Sequence, residues 1–410
     1  MGKSFTLCML APEFIPTWGG TGTYTVNLLE ALPRDIEIHV LTLRRILNGT
    51  NVVKPEKFVH FGDNVHIHYL FDAKGTFAYN AHFQLYCLRR FPKLNKEFKF
   101  DLVHSHHAHM SDILLKLTRL VKIPNVITVH NTFEWMRESI LKQNVNFDLL
   151  DESEQGILRY YPLLKQLEHF SLSRAQALIA PSEECKKALI NSLGINSQKV
   201  NVIHNGVNTI KFNPQNFSKE DMFQYAGRPI VLFVGRFVAQ KGLDNLVKAM
   251  PKVINHVNNV LFVFAGQGDF SYLKSQIERY GTTNRSFVNL GFRAHNKIHE
   301  VYSLADVFVI PSPHENCSLS LLEAMSSEKA VIAANVGGNS EIIKSYYNGV
   351  LFLSQNSDDL AEKIIQLLED TALKRRIGIQ ARKTVIDRFS IQLMAEETNK
   401  IYKTILYNSI

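Results

Sequence analysis

Short apolar runs recur along the chain, separated by longer stretches with helical spacing. FTLCML (5–10), IEIHVLTL (36–43), VHIHYL (65–70), DLVHSH (101–106), NVITVH (125–130), ALIAPS (177–182) and KVNVIH (199–204) read as buried strands. Between several of them lie amphipathic segments such as TYTVNLLEAL (23–32) and SDILLKLTRL (111–120). Near-continuous apolar strands joined through helices predict a parallel sheet covered on both faces. The pattern then restarts with PIVLFVG (229–235), NVLFVFAG (259–266), SFVNLG (286–291), DVFVIPS (306–312), KAVIAAN (329–335) and GVLFL (349–353). GLDNLVKAM (242–250), KIHEVYSL (297–304) and LSLLEAM (319–325) are its predicted helices. The polar, weakly patterned stretch 205–229 contains Pro214 and Pro229 and is the predicted boundary. The expected fold class is α/β: two Rossmann-like doubly wound domains, 1–205 and 206–385, facing across a cleft. Residues 386–410 read as helix with no strand after them.

Composition narrows this picture. A chain of 410 residues that is 45% hydrophobic and 20% charged is globular, and its length alone calls for more than one core. No apolar run approaches the ~20 residues that span a bilayer. The N-terminal MGKSFTLCMLAPEF reaches Glu13 without a small-residue cleavage site, so it reads as a first strand and not a signal peptide. Cys8, Cys87, Cys185 and Cys317 are scattered without a CxxC, which argues against disulfides or structural zinc and suits a cytoplasmic location. The sequon Asn316-Cys317-Ser318 lies inside a candidate binding motif, where a glycan has no room.

The net charge of +8 is split evenly between the two halves of the chain. Locally it gathers in QLYCLRRFPKLNKEFK (84–99), where Arg89, Arg90, Lys93, Lys96 and Lys99 face only Glu97. This is either a solvated helix face or a contact for an anionic membrane surface or acidic acceptor. No nucleic-acid motif accompanies it, so nucleic acid is not an expected partner.

Candidate chemistry sits where strands end. PTWGGTGTY (16–24) follows the first strand, and Gly20 there lets backbone amides approach an anion at a helix start. It is a poor dinucleotide fingerprint, since Thr25 stands where a third glycine would be. FVGRFVAQKGLDNL places Arg236 directly after a strand and Lys241 at the opening of the next helix, flanked by Gly235 and Gly242. Two cations at the carboxyl end of a strand suit a diphosphate. PSPHENCSLSLLEAM (311–325) sets Glu315 before a helix whose N-terminal amides belong to Asn316, Cys317, Ser318 and Leu319, with Glu323 further in. VHSHHAHM (103–110) invites a metal reading, but it has no acidic or cysteine neighbour in sequence, and no metal is expected. His130 ends another strand and should face the same cleft.

Together these motifs resemble the retaining, nucleotide-sugar-dependent glycosyltransferases of group 1 (family four), which have the GT-B fold. The resemblance runs almost the whole length of the chain. It rests on the GGTG turn, VITVHNTF, PSEECKKAL followed by KVNVIHNGVNTIKFNP, GRFVAQKGLDNL, the Glu-x7-Glu element and VGGNSEII. It implies that Arg236 and Lys241 hold and stabilise the donor diphosphate, Glu315 binds the donor sugar and Glu323 the ribose. Amides of Ser318, Leu319 and Gly20 would complete the phosphate cradle, His130 would contact the sugar, and the backbone at Arg293 would read the base. It also implies final helices that cross back to the first domain. The chain departs from the family pattern at Cys317-Ser318, where Phe-Gly is common, at Asn208, where Asp is usual, and at Asn339-Ser340, where Ile-Pro is frequent. Ser318 can replace glycine only with an ordinary φ, for example as a helix N-cap.

The expected activity is therefore retaining transfer of a hexosyl group from a UDP- or GDP-sugar to an acceptor hydroxyl, on a lipid, glycan or small molecule. No cofactor is expected beyond the donor, because the two cations take the place of a metal. A nucleotide-sugar epimerase or hydrolase on the same fold, or a non-catalytic nucleotide-sugar-binding protein, are the alternatives.

Overall fold

The computed structural model describes residues 4–14, 19–46, 61–74, 79–107, 110–118, 122–143, 145–216, 225, 227–282, 285–294 and 296–407. The chain forms two compact units. One comprises Met1–Arg137, Glu152–Gly206 and Ile391–Ile410; the other comprises Glu138–Asp151 and Val207–Ser390.

The first unit holds a seven-stranded parallel sheet: β1 (Phe5–Leu10), β2 (Ile36–Ile46), β3 (Val65–Lys74), β4 (Leu102–His106), β5 (Asn125–Thr128), β6 (Ala177–Ala180) and β7 (Val200–Val202). Its strand order is β3-β2-β1-β4-β5-β6-β7. Every residue of β1, β4, β5 and β6 is buried, as expected of strands covered on both faces. The second unit has six parallel strands: β8 (Ile230–Val234), β9 (Leu261–Ala265), β10 (Phe287–Asn289), β11 (Val307–Ile310), β12 (Ala330–Ala334) and β13 (Val350–Phe352). Their order is β10-β9-β8-β11-β12-β13. Each sheet thus reverses its winding once, between β1 and β4 in the first and between β8 and β11 in the second. Loops leaving adjacent strands at such a reversal diverge and leave a crevice at the strands' carboxyl ends.

The helices follow their apolar spacing. In Tyr79–Phe98 the buried positions Phe83, Cys87, Phe91 and Leu94 recur every three or four residues. Arg89, Arg90, Lys93, Lys96 and Glu97 stand on the exposed side, and Lys99 just beyond is also exposed. Pro92 sits on that outer face, with the helix continuing through it. The expected helix in 111–120 is shorter, Ile113–Leu117, and residues 119–120 lie outside the described residues. At the chain's end, Thr371–Arg388 belongs to the second unit and Ile391–Tyr407 to the first. The latter is fastened by a hydrogen bond between buried Tyr402 and His104, and Met394 Sδ accepts the Gly206 amide at 3.1 Å. No helix among the described residues is long and apolar enough to cross a membrane.

Candidate active site

In the second unit the candidate residues gather on loops leaving β8 and β11, the two strands at the reversal. Gly235 and Arg236 follow β8 directly. Lys241 does not open the next helix as expected. It closes a 3-10 turn, Ala239–Lys241, and the helix begins at Leu243. Between them Gly242 turns with φ +63°, and a β-carbon there would lie 2.5 Å from the Pro311 carbonyl oxygen. That close approach ties the Lys241 turn to the end of β11, and only glycine tolerates both the dihedral and the contact. Lys241 Nζ donates to Glu315 Oε1 at 2.6 Å. Glu315 is buried, so this pair is shielded from salt more than a surface pair would be. Arg236 Nη2 donates to Asp151 Oδ2 at 2.5 Å, and both side chains are substantially exposed. Each expected diphosphate ligand therefore lies against a carboxylate.

The helix Leu319–Ser326 begins where LSLLEAM predicts it, but Asn316 and Cys317, expected to supply N-terminal amides, lie on the loop before the cap and not in the first turn. Ser318 is its N-cap, with φ −69° and ψ 118°, and its Oγ accepts from the Leu321 amide at 3.4 Å. Serine thus stands in an ordinary extended conformation that needs no glycine. The remaining amides of the first turn have no partner within the helix and carry its positive dipole end. The loop before it is braced from β12's side: the Gly338 amide donates to the Glu315 carbonyl at 2.8 Å. A β-carbon on Gly338 would fall 1.3 Å from the Asn316 carbonyl oxygen, so any side chain there would push the 315–316 loop aside. Neighbouring Asn339 is fully buried and donates to the Ala334 carbonyl at 3.1 Å. Asn208 Oδ1 accepts from the Ile210 and Lys211 amides at 3.2 and 3.0 Å, a cap that an aspartate would also make.

Glu323 lies five residues into the helix and is buried. Its Oε2 accepts from the Tyr302 hydroxyl at 2.6 Å. Burial pushes its carboxyl up from 4.5 to about 7, against the opposing pull of the Tyr302 hydrogen bond and the Lys211 charge. Tyr302, on the helix Ile298–Ser303, is the fixed partner of Glu323 that the sequence did not single out; the regular apolar spacing of KIHEVYSL marked it only as core. His314 is driven down to about 4 by burial and is neutral near pH 7. Arg293 is exposed on the loop after β10, where the Gly291 carbonyl accepts from the Gly266 amide at 3.0 Å.

In the first unit the loops after β1, β4 and β5 carry a different chemistry. Gly20 is exposed at the start of the helix Gly20–Ala31 and is its first residue; 15–18 of the expected turn lie outside the described residues. His130, two residues past β5, is half-buried and shares a hydrogen bond with His106 at 3.1 Å. His106 Nε2 in turn meets Thr25 Oγ1 at 3.1 Å, and Thr25 donates to the Thr21 carbonyl at 3.0 Å. The Tyr24 ring packs edge-on to His130 with centroids 4.8 Å apart. Burial holds the Tyr24 hydroxyl up at about 12 and the His104 imidazole down at about 3, so both are neutral near pH 7.

The histidines of VHSHHAHM divide their partners. His104 pairs with Tyr402 and Thr128, and His106 with Thr25 and His130. His107 Nε2 meets Glu168 Oε1 at 2.7 Å with both groups buried. The acidic partner missing from the local sequence is thus supplied 61 residues away, while His109 lies outside the described residues.

Comparison with known proteins agrees with this architecture. Residues 215–384 match the family described as Glycosyl transferases group 1, and residues 18–211 match Glycosyltransferase Family 4. An uncharacterized glycosyltransferase of Methanocaldococcus jannaschii is 28% identical, over 97% of this chain and 97% of its own length. The UDP-Gal:alpha-D-GlcNAc-diphosphoundecaprenol alpha-1,3-galactosyltransferase of Escherichia coli is 26% identical, over 77% of this chain and 78% of its own. The sucrose-phosphate synthase structure from Thermosynechococcus elongatus superposes with a TM-score of 0.80 at 20% identity, covering 98% of this chain and 100% of that one. The two Rossmann-like domains are those of the GT-B fold. With one family pattern on each domain and relatives aligned from end to end, the chain belongs to the group 1 glycosyltransferases.

Proposed function

We propose that this glycosyltransferase moves a hexosyl group from a nucleoside diphosphate sugar, a UDP-sugar in the first instance, to an acceptor hydroxyl with retention of configuration. The observation that carries the reading is the Lys241–Glu315 pair set beside the capped start of Leu319–Ser326 at the β8/β11 reversal. A diphosphate entering there exchanges one anion for another at Lys241 and Arg236. Glu315 and Asp151 are displaced, and Glu315 becomes free to accept from hydroxyls of the donor sugar. Charge developing on the departing diphosphate meets the two cations and the amides of Ser318 and Leu319, which is transition-state stabilisation without a metal. Glu323, held by Tyr302 through one oxygen, offers the other to the ribose hydroxyls. The family resemblance assigns Gly20 and His130, with its His106–Thr25 hydrogen-bond chain, to the sugar end and the backbone at Arg293 to the base. The ordinary backbone of Ser318 supports the catalytic reading over the binding-only alternative, since serine there needs no glycine-like φ.

For the acceptor we favour a lipid-linked sugar at an anionic membrane surface, the kind of acceptor named in the E. coli relative. The basic outer face of Tyr79–Phe98, with Leu85 47% exposed among its cations, is the feature that fits such a surface. The test is turnover of UDP- and GDP-hexoses with a panel of lipid-linked and soluble acceptors, with the product anomer read by NMR. Retained configuration, unaffected by EDTA, is expected. Inversion, chelator-sensitive turnover, or rapid epimerisation of the donor alone would each overturn the corresponding part.

A further inference from the structure

A second cluster of chemistry lies at the other end of the first unit's sheet. The motifs IEIHV and VHIHY alternate polar and apolar residues, so Glu37 and His39 share one face of β2, and His66 and His68 share one face of β3. The two strands are parallel neighbours with His39 directly opposite His66, which brings the four side chains onto one face. A ligand atom from each of Glu37, His39 and His66 lies within 4.8 Å of the others. His39 Nδ1 is 2.9 Å from His68 Nε2, and His66 Nε2 is paired with Glu37 Oε1. Phe98 closes the cluster from the side, its ring 4.1 Å from that of His39 and 5.5 Å from that of His68.

We infer that Glu37, His39, His66 and His68 form a binding site for one divalent transition-metal ion that clips the edge strand β3 to β2. Three imidazoles and one carboxylate suit zinc, cobalt, nickel or copper by ligand type; magnesium and calcium require more oxygens. Metal–nitrogen bonds near 2.0–2.1 Å in a tetrahedral site set donor atoms about 3.4 Å apart. The His39–His68 spacing is already close to this. Ligand atoms of Glu37, His39 and His66 already lie within 4.8 Å of one another, His68 joins through His39, and the half-exposed side chains of Glu37 and His66, 31% and 42% exposed, are the members with room to move.

The cluster sits near the beginnings of β2 and β3, whereas Gly20 and His130 follow strand ends. The ion therefore takes no part in sugar transfer. Its effect is on stability: it joins residues 39 and 66 across the segment between β2 and β3, removing loop-closure entropy from the unfolded chain. A neutral imidazole ladder holding no metal is the competing description.

Equilibrium dialysis of the full chain against zinc, with metal counted by mass spectrometry, and titration with cobalt followed by visible absorption decide between them. We expect one zinc bound per chain at micromolar free metal, tetrahedral cobalt bands, and a Tm that rises with zinc but not with magnesium. His66→Gln and Glu37→Gln alter half-exposed side chains and should weaken zinc binding by about tenfold or more. His82→Gln, at an exposed histidine outside the cluster, should leave binding unchanged. Absence of saturable zinc binding, or the same affinity in folded His66→Gln and Glu37→Gln proteins, would overturn the site.

Discussion

The two domains reverse their sheets in the same way but furnish the reversal with opposite chemistry. At β8/β11 the loops carry ion pairs, Arg236 with Asp151 and Lys241 with Glu315, and the helix that follows β11 holds the buried Glu323. In the first domain the helix after β1 and the loops after β4 and β5 carry a hydrogen-bonded chain, His130–His106–Thr25, with Tyr24 packed against it. Both are products of one rule, that crevices open where loops diverge at strand ends. The proposed donor site follows this difference, with the diphosphate assigned to the ion-paired loops and sugar hydroxyls to the hydrogen-bonded chain. A diphosphate needs cations and helix amides, whereas hydroxyls need hydrogen-bond partners that do not compete as ions.

Breaking the charged side should have the largest effect. Arg236→Ala and Lys241→Ala are each expected to lower kcat by on the order of 10²–10³, the scale for losing one transition-state donor. Steady-state kinetics on variants with unchanged circular dichroism checks this, and near-normal turnover would remove the diphosphate assignment. Gly338→Ala attacks the same side through its scaffold. Its added carbon must displace the Asn316 carbonyl, so a loss of about 1–3 kcal/mol in stability is expected together with weaker nucleotide binding. An unchanged urea midpoint would show that the 315–316 loop yields without cost.

In the first domain, His130→Ala should lower kcat about tenfold, equivalent to about 1.4 kcal/mol of barrier, with little change in nucleoside diphosphate affinity. Glu323 sharpens the contrast through pH. Its folded carboxyl holds a proton up to about 7, against 4.5 for an ordinary glutamate, so the folded state binds that proton more tightly than the unfolded state. The associated stability is complete below pH 4.5 and is lost as pH rises through about 7. UDP affinity should move the other way, since ribose hydroxyls donate to the ionised carboxylate. Thermal melts and UDP titrations across that window test both trends, and Glu323→Gln should flatten both; parallel trends would contradict the assignment. The smallest effect belongs to Asp151→Ala. Its pair with Arg236 is exposed, so removing it should lower the donor KM by at most about fivefold.

The sequence carried these two sites unequally. The thirteen strands among the described residues were each legible, the inner ones because a strand covered on both faces is apolar along its length. Arg236, Lys241, Glu315 and the 319–326 helix were legible for a related reason, since each follows such a strand within a few residues. What joins them was not. The Lys241–Glu315 contact spans 74 residues and the Tyr302–Glu323 contact 21, and neither has a local signature. In the first domain, the helix Glu152–Ser173 gave no clear apolar stripe because Glu154, Glu168 and Ser171 occupy its buried face. Glu168 is there to meet His107 and the Phe133 amide, a polar packing that periodicity misreads as solvent exposure. The His106–His130 bond likewise depends on β4 and β5 being neighbours.

The most direct test of the division between the two sites is calorimetric titration of UDP into the wild-type, Lys241→Ala and His130→Ala proteins, alongside turnover of the same samples. The account predicts that Lys241→Ala loses both UDP affinity and turnover, while His130→Ala loses turnover and keeps its affinity. A folded Lys241→Ala protein that binds UDP as tightly as the wild type would contradict it.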